Sequence, residues 1–300
     1  MIDYASTLRR RARAMRRVVY ASAQQAMWRR GRVVPAFWWD GHPNFGDDMT
    51  PWLLPHYGVI PIFRAAESAT FAGVGSILEF LPSSFAGVIW GSGLMEEREH
   101  PLPDARLLAV RGPLTAELIG ARDPVTFGDP GLLVRRVLPR PRVCRQVAIV
   151  PHGHHRAHEG LRRLVRQAGD RVRVVNVHQG AGSAVREIAA SSVVFTTSLH
   201  GLITADAYGI PVVWTSLEPS LTGGDFKFRD YEAVMTPGSS RFIDADADLS
   251  VDDIVRHARA VDAARVDEVC RGLERALALL TESTDPLPPF PRGVLDVVRR

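Results

Sequence analysis

Apolar and polar positions alternate along this chain in a way that predicts two runs of strands and helices. The stretch VVPAFWWD (33–40) reads as a buried strand, and GHPNFGDDMTPWL (41–53) as a tight loop and helix start. ATFAGVGSIL (69–78) and FAGVIWGSGLM (85–95) each read as an apolar strand feeding a Gly-x-Gly turn. RLLAVRGPLTAELIG (106–120) predicts a strand, a sharp Arg-Gly-Pro turn and a helix with Pro113 in its first turn. VTFGDPGLLV (125–134) repeats strand and loop. A break follows at 135–146, rich in proline and arginine. A second series then begins with QVAIVPHGHH and VRVVNVHQG, and continues through EIAASSVVFTTSLHGLITADAYGIPVVWTS. In the segment 251–280, Ile254, Val255, Ala258, Val261, Val269, Leu273, Leu277 and Leu280 form one stripe, predicting a long helix or a helix pair.

Strands alternating with helices argue for βαβ units around parallel sheets. The expected fold class is α/β, with two Rossmann-like domains over 33–140 and 146–285 and a cleft between them. Residues 1–32 form a basic amphipathic N-terminal segment and 286–300 a C-terminal tail. In such sheets the loops at the carboxyl ends of the strands carry the chemistry.

Composition and charge then bound this picture. With 46% hydrophobic and 23% charged residues the chain is an ordinary globular protein. No apolar run approaches the roughly 20 residues that span a bilayer, and the N-terminus lacks a signal-peptide core. Cys144 and Cys270 lie far apart without metal-ligand spacing, so reduced thiols in a cytoplasmic protein are expected. The net charge of +4 allows anionic partners. Nearly all the basic residues are arginine; the single lysine is Lys227. The arginines of residues 8–32 could rest that helix on an anionic membrane surface, or simply solvate it. Nucleic acid is not expected: no aromatics interleave with the basic residues, and no binding module is present.

Five stretches could do chemistry. In TTSLHGLITADAYG, Ser198 stands at a helix N-cap and His200 in the first turn, where free backbone N–H groups and a partial positive charge favour an anion. An N-cap serine with a bystander histidine is the plain alternative. Arg111 ends a strand beside Gly112-Pro113, where its guanidinium could hold a carboxylate or phosphate. The cluster DFKFRDYEAV brings Lys227, Arg229 and Asp230. The loop IVPHGHHRAH, with His152, His154 and His155, would line the same half of the cleft. A histidine-rich loop suggests metal, but no carboxylate or cysteine accompanies it at suitable spacing, so no metal is expected. The loop with Asn44, Gly46 and Asp47 is either turn chemistry or the mouth of the site.

Taken in order, FWWDGHPNFGDDMTPWL, VGSIL, VIWGSGL, AVRGPLT, FGDPGLLV, IVPHG, TTSLHGLITADAYGIPVVW and KFRDY resemble the polysaccharide pyruvyl transferase family, over roughly residues 33–235. The resemblance is strongest to the branch that makes ketal-pyruvylated exopolysaccharides of the xanthan and succinoglycan type. It implies a GT-B-like fold, phosphoenolpyruvate as co-substrate with no further cofactor, and a sugar acceptor with two suitably placed hydroxyls, lipid-linked or free. By motif, Arg111 and the Leu199-His200 pair would bind phosphoenolpyruvate. The family pattern has Arg before Leu-His, where this chain has Ser198, in keeping with the exopolysaccharide branch. Lys227 or Arg229 is the candidate for the missing cation. Asn44, Gly46 and Asp47, with His152, would meet the acceptor. His200, titrating near working pH, would shuttle protons, and Asp47 is a weaker candidate base. The rivals are a nucleotide-sugar glycosyltransferase on the same fold and a non-catalytic binder of anionic glycans.

Overall fold

The computed structural model describes residues 31–123, 125–144, 146–245 and 249–281, with Pro289 and Val294. The basic segment and most of the C-terminal tail lie outside these residues. Among these residues ten strands form two sheets: β1 (Arg32–Phe37), β2 (Val59–Phe63), β3 (Phe71–Ala72), β4 (Val88–Trp90), β5 (Arg106–Val110), β6 (Thr126–Phe127), β7 (Val147–Val150), β8 (Val172–Val174), β9 (Val193–Thr196) and β10 (Val212–Trp214). The first sheet runs β2-β1-β3-β4-β5-β6 and the second β10-β9-β7-β8, with every ladder parallel. The α/β class with two parallel sheets is as the sequence predicts.

Nine α-helices connect and cover them: α1 (Met49–Leu53), α2 (Pro113–Leu118), α3 (Val134–Val137), α4 (Glu159–Ala168), α5 (Ala181–Ala189), α6 (Leu199–Ala207), α7 (Phe226–Met235), α8 (Val251–His257) and α9 (Ala263–Thr281), counted among the described residues. None of the helices among the described residues is long and apolar enough to cross a membrane.

Both sheets reverse their winding once. In the first, the chain steps from β1 to β2 on one side and returns to place β3 on the other, so β1 and β3 flank a switch point. In the second the switch lies between β7 and β9. At a switch point the loops leaving the two strands diverge and open a crevice. The loops concerned are 38–48 and 73–76 in the first sheet, and 151–155 and 197–200 in the second.

The core explains how these crevices come together. Every residue of α6 is buried, as expected for a helix with apolar residues on all sides. It lies against the 3₁₀ turn Pro130–Leu133 that follows the first sheet's last strand, and against β9 and β10. Leu199, Leu202 and Ile203 are at most 3% exposed; burying each contributes about 1.5–3 kcal/mol. One apolar cluster therefore contains side chains of both sheets, from Trp38 and Trp90 to Val194 and Trp214.

The stripe of 251–280 divides. α8 begins with a capping box in which the Ser250 hydroxyl accepts from the Asp253 backbone N–H, and the chain breaks at 258–262 before α9. Val255, placed on the apolar stripe by its spacing, is instead 47% exposed. α9 does not stay with the second sheet. It crosses back to pack on β4, β5 and β6, where the Trp90 indole N–H donates to the Leu273 carbonyl at 3.0 Å. The apolar face of α9 thus finds cover on the first sheet.

Candidate functional site

The loop after β1 reaches the loop after β8 of the second sheet through a backbone bond, Phe45 N–H to the Val177 carbonyl at 3.0 Å. Within it the Asn44 side chain accepts from Gly46 N–H at 3.2 Å and donates to Asp47 Oδ2 at 2.8 Å. These bonds fix the turn, and they aim Gly46 at the imidazole of His200. A β-carbon on Gly46 would stand 2.2 Å from His200 Nδ1. Only a residue without a side chain admits that approach, so the first sheet's switch-point loop lies directly against the first turn of α6.

The start of α6 is built to leave groups free. Ser198 adopts an extended N-cap conformation but makes no side-chain cap bond. Its own N–H donates to Thr196 Oγ1 at 2.9 Å, while the Gly201 and Leu202 N–H groups return to the Ser198 carbonyl. Leu199 and His200 are left with N–H groups at the helix's positive end. His200 is 7% exposed, and its Nε2 is buried with no partner.

Facing Nε2 at 3.9 Å is Asp129 Oδ2, in the FGDPG turn, also buried and without a partner. The other Asp129 oxygen accepts from Gly131 N–H at 2.8 Å. Lys227, in the first turn of α7, is 8% exposed, and its ammonium has no hydrogen-bond or ion-pair partner among the described residues.

The electrostatics follow from burial. Desolvation pushes Asp47 up to about 7, against the Asn44 hydrogen bond and the Lys227 charge. Desolvation likewise raises Asp129 to about 7. His200 is lowered to about 3, first by burial and then by Arg111 and Lys227. The imidazole therefore stays neutral where an ordinary histidine titrates near 6.5; the carboxylic acids, not the histidine, sit near neutral pH. Lys227 is lowered to about 8 by burial and by Arg111.

Arg111 differs from its expected arrangement. It is fully buried, and its guanidinium is held by the protein: Nε donates to Asp230 Oδ2 at 2.9 Å, one terminal nitrogen to Ser76 Oγ at 2.6 Å and the other to the Leu94 carbonyl at 2.5 Å. Gly93 lies flat against the guanidinium, where a β-carbon would stand 2.3 Å from Cζ. Asp230 also accepts from Thr115 N–H and Oγ1 at 3.0 and 2.6 Å, which joins α7 to the start of α2. Arg111 acts on the site through its charge and through this tie.

Arg229, two residues beyond Lys227, points the other way. Its side chain is 44% exposed and pairs with Glu97 and with Asp225. Of the two candidate cations, Lys227 faces the site and Arg229 the surface. His152 is part-buried at the β7 switch point, its N–H donating to Thr197 Oγ1 at 2.8 Å, and it is lowered to about 3 by burial and Lys227. His155 is locked between Thr197 Oγ1 and the Pro219 carbonyl, and His154 is exposed. Among the described residues no cluster could hold a metal ion.

Sequence reading missed Asp129 and Ser76 as members of this arrangement, and it singled out Asp230 without its partner Arg111. The signal for Asp129 was its place in a strand-exit loop like that of Arg111. Nothing local marks Asp230 as the partner of a residue 119 positions away.

Residues 80–219 match the family model described as polysaccharide pyruvyl transferase. Over those residues the chain is similar to that family. It is similar to the succinoglycan biosynthesis protein ExoV of Rhizobium meliloti (strain 1021), 31% identical over 206 residues, covering 66% of this chain and 63% of that protein. It is also 30% identical over 174 residues to the uncharacterized protein L143 of Acanthamoeba polyphaga mimivirus, covering 55% of this chain and 59% of that one. The chain thus spans under two thirds of the length of either relative. A solved structure of the uncharacterized protein KP1_0663 from Klebsiella pneumoniae aligns with a TM-score of 0.42 and 15% identity, over 75% of this chain and 97% of that one. The family match spans the β4–β5 loops, Arg111, Asp129 and the start of α6, but not Lys227 or the 44–47 loop.

Proposed function

We propose that this protein transfers the pyruvyl group of phosphoenolpyruvate to two hydroxyls of a glycan sugar, forming a ketal and releasing phosphate. The observation that carries the reading is the unpaired, nearly buried ammonium of Lys227 beside the free N–H groups at the start of α6. An unpaired buried charge is costly unless a ligand neutralises it. Phosphoenolpyruvate carries two anionic groups on adjacent atoms and suits a site with two separate positive elements. The Leu199 and His200 N–H groups and the Ser198 hydroxyl hold one, Lys227 the other, and Arg111 adds its charge from behind Gly93.

The chemistry balances with two hydroxyl protons. The methylene carbon takes one proton and becomes a methyl group, while the first hydroxyl oxygen bonds to the adjacent carbon and loses its own. The bond to phosphate oxygen then breaks and phosphate leaves with the first hydroxyl's proton, while the second hydroxyl oxygen closes the ring and its proton replaces the one given to carbon. Asp47, near 7, can hold a proton for delivery to carbon. His200, held neutral by its burial and by the charges of Arg111 and Lys227, accepts one from a hydroxyl. Asn44 and His152 flank the face on which the acceptor would lie.

Beyond the far side of α7 a cleft of about 610 Å³ is lined by Trp214, Phe228 and Phe242 with Thr215, Ser216 and Ser240. Aromatic faces beside hydroxyls suit the remainder of a glycan acceptor.

Thermal-shift titration tests the donor. Phosphoenolpyruvate at about 100 times its Kd is expected to add about 2.7 kcal/mol, more than phosphate does, and Lys227→Ala is expected to abolish the difference. Donor affinity should fall as pH rises through about 8, where Lys227 loses its proton. Stabilisation by UDP or UDP-glucose alone would replace this reading with a glycosyltransferase.

A further inference from the structure

The FGDPG turn places a carboxylate behind the imidazole of His200, and the pyruvyl-transfer reading has so far given it no work. Buried polar atoms without partners are rare in folded proteins. Here two of them, Asp129 Oδ2 and His200 Nε2, face each other at 3.9 Å. That gap is longer than a hydrogen bond, and bonds of this kind commonly tighten only when substrate is bound. The opposite edge of the ring, Nδ1, lies against Gly46 and the Asn44–Asp47 loop. The imidazole thus stands between a buried carboxylate and the switch-point crevice.

We infer that Asp129 is a positioning residue for His200: its free carboxylate oxygen holds the proton on Nε2, so that the basic lone pair is on Nδ1 and faces the crevice. The inference rests on the pyruvyl-transfer reading only for the identity of the reaction. Three features support it independently. Asp129 is fixed, since its other oxygen is engaged by Gly131 N–H. The ring is fixed too, with Phe45 edge-on to it at a centroid distance of 6.3 Å and Gly46 against Nδ1. Finally, the other ionisable groups whose charges reach the couple are Arg111, Lys227, Asp230 and Tyr231, none of which bonds to either orphan atom. Of the groups facing Nε2, Asp129 is the one whose anion can accept its proton.

During the reaction the Nε2 proton stays on the ring. Nδ1 takes the proton of an acceptor hydroxyl as that oxygen bonds to carbon, giving an imidazolium whose charge Asp129 offsets. Nδ1 then returns that proton to the departing phosphate. No proton moves to Asp129, and the ring ends in the state in which it began.

The test uses the full chain labelled with ¹⁵N-histidine, observed at pH 8, with His200→Gln to assign the signal. The wild-type spectrum is expected to show the His200 proton on Nε2. In Asp129→Asn the side-chain oxygen keeps the Gly131 N–H bond while the amide donates to Nε2, so the ring proton should shift to Nδ1. The kcat for pyruvyl transfer should fall by about 10²–10⁴-fold, with KM for phosphoenolpyruvate little changed. A wild-type proton on Nδ1, or an Asp129→Asn protein with unaltered tautomer and turnover, would overturn the inference. If wild type itself transfers no pyruvyl group, the functional reading fails, and the ring spectra still decide the role of Asp129.

Discussion

Asp230→Ala is expected to destabilise the protein by about 3–5 kcal/mol, although Asp230 would contact no substrate. The mutation leaves the Arg111 guanidinium charged and fully buried, with its Nε–H donor orphaned. It also removes the acceptor of Thr115 N–H and of the Thr115 hydroxyl, freeing the first turn of α2 from α7. Water cannot fill the gap cheaply, because both partners of the ion pair are 0% exposed. The melting temperature should fall on the order of 10 °C, as read by differential scanning calorimetry. Asp230→Asn keeps an acceptor for Thr115 and should lose less. A loss no larger than that of an exposed pair, about 1 kcal/mol or below, would show that Arg111 does not depend on Asp230.

The second large effect belongs to Gly46→Ala. The added carbon would overlap the imidazole of His200, a buried ring backed by Asp129 and flanked by Phe45. Either the ring turns away or the 44–47 loop withdraws, and both separate the switch-point crevices. Displacement of a catalytic group by about 1 Å can cost 10²-fold in rate, so turnover should fall by about that factor. Overpacking of this kind costs about 1–3 kcal/mol of stability, and phosphoenolpyruvate binding through Lys227 should persist. Wild-type turnover in Gly46→Ala would show that the ring's position against the loop is immaterial.

The sequence made one kind of information visible and hid another. Strand-exit loops were legible because each couples an apolar run to Gly, Pro or Asn chemistry; hence Asn44-Phe45-Gly46-Asp47, Arg111 and Ser198-Leu199-His200 all stand at strand ends. Lys227 was legible through its rarity in an arginine-rich chain. Its orientation was not: Lys227 and Arg229 lie two positions apart on one helix and therefore face apart, and only the packing of α7 decides which turns inward. Partners distant in sequence were hidden for a related reason. Arg111 reads locally as a free fork, and its capture by Asp230, Ser76 and Leu94 depends on three separate segments meeting. The crossing of α9 was equally hidden, since an amphipathic stripe shows that a helix has a buried face without saying against which sheet.

The solitary lysine has a practical corollary. Lys227 carries the chain's one side-chain amine, and its lowered pKa leaves part of it as free base near pH 8. An acylating reagent that would decorate most proteins in many places therefore has a single internal side-chain target here, one whose charge reaches Asp47, His152 and His200. Covalent modification becomes a position-specific gauge of whether that space is filled.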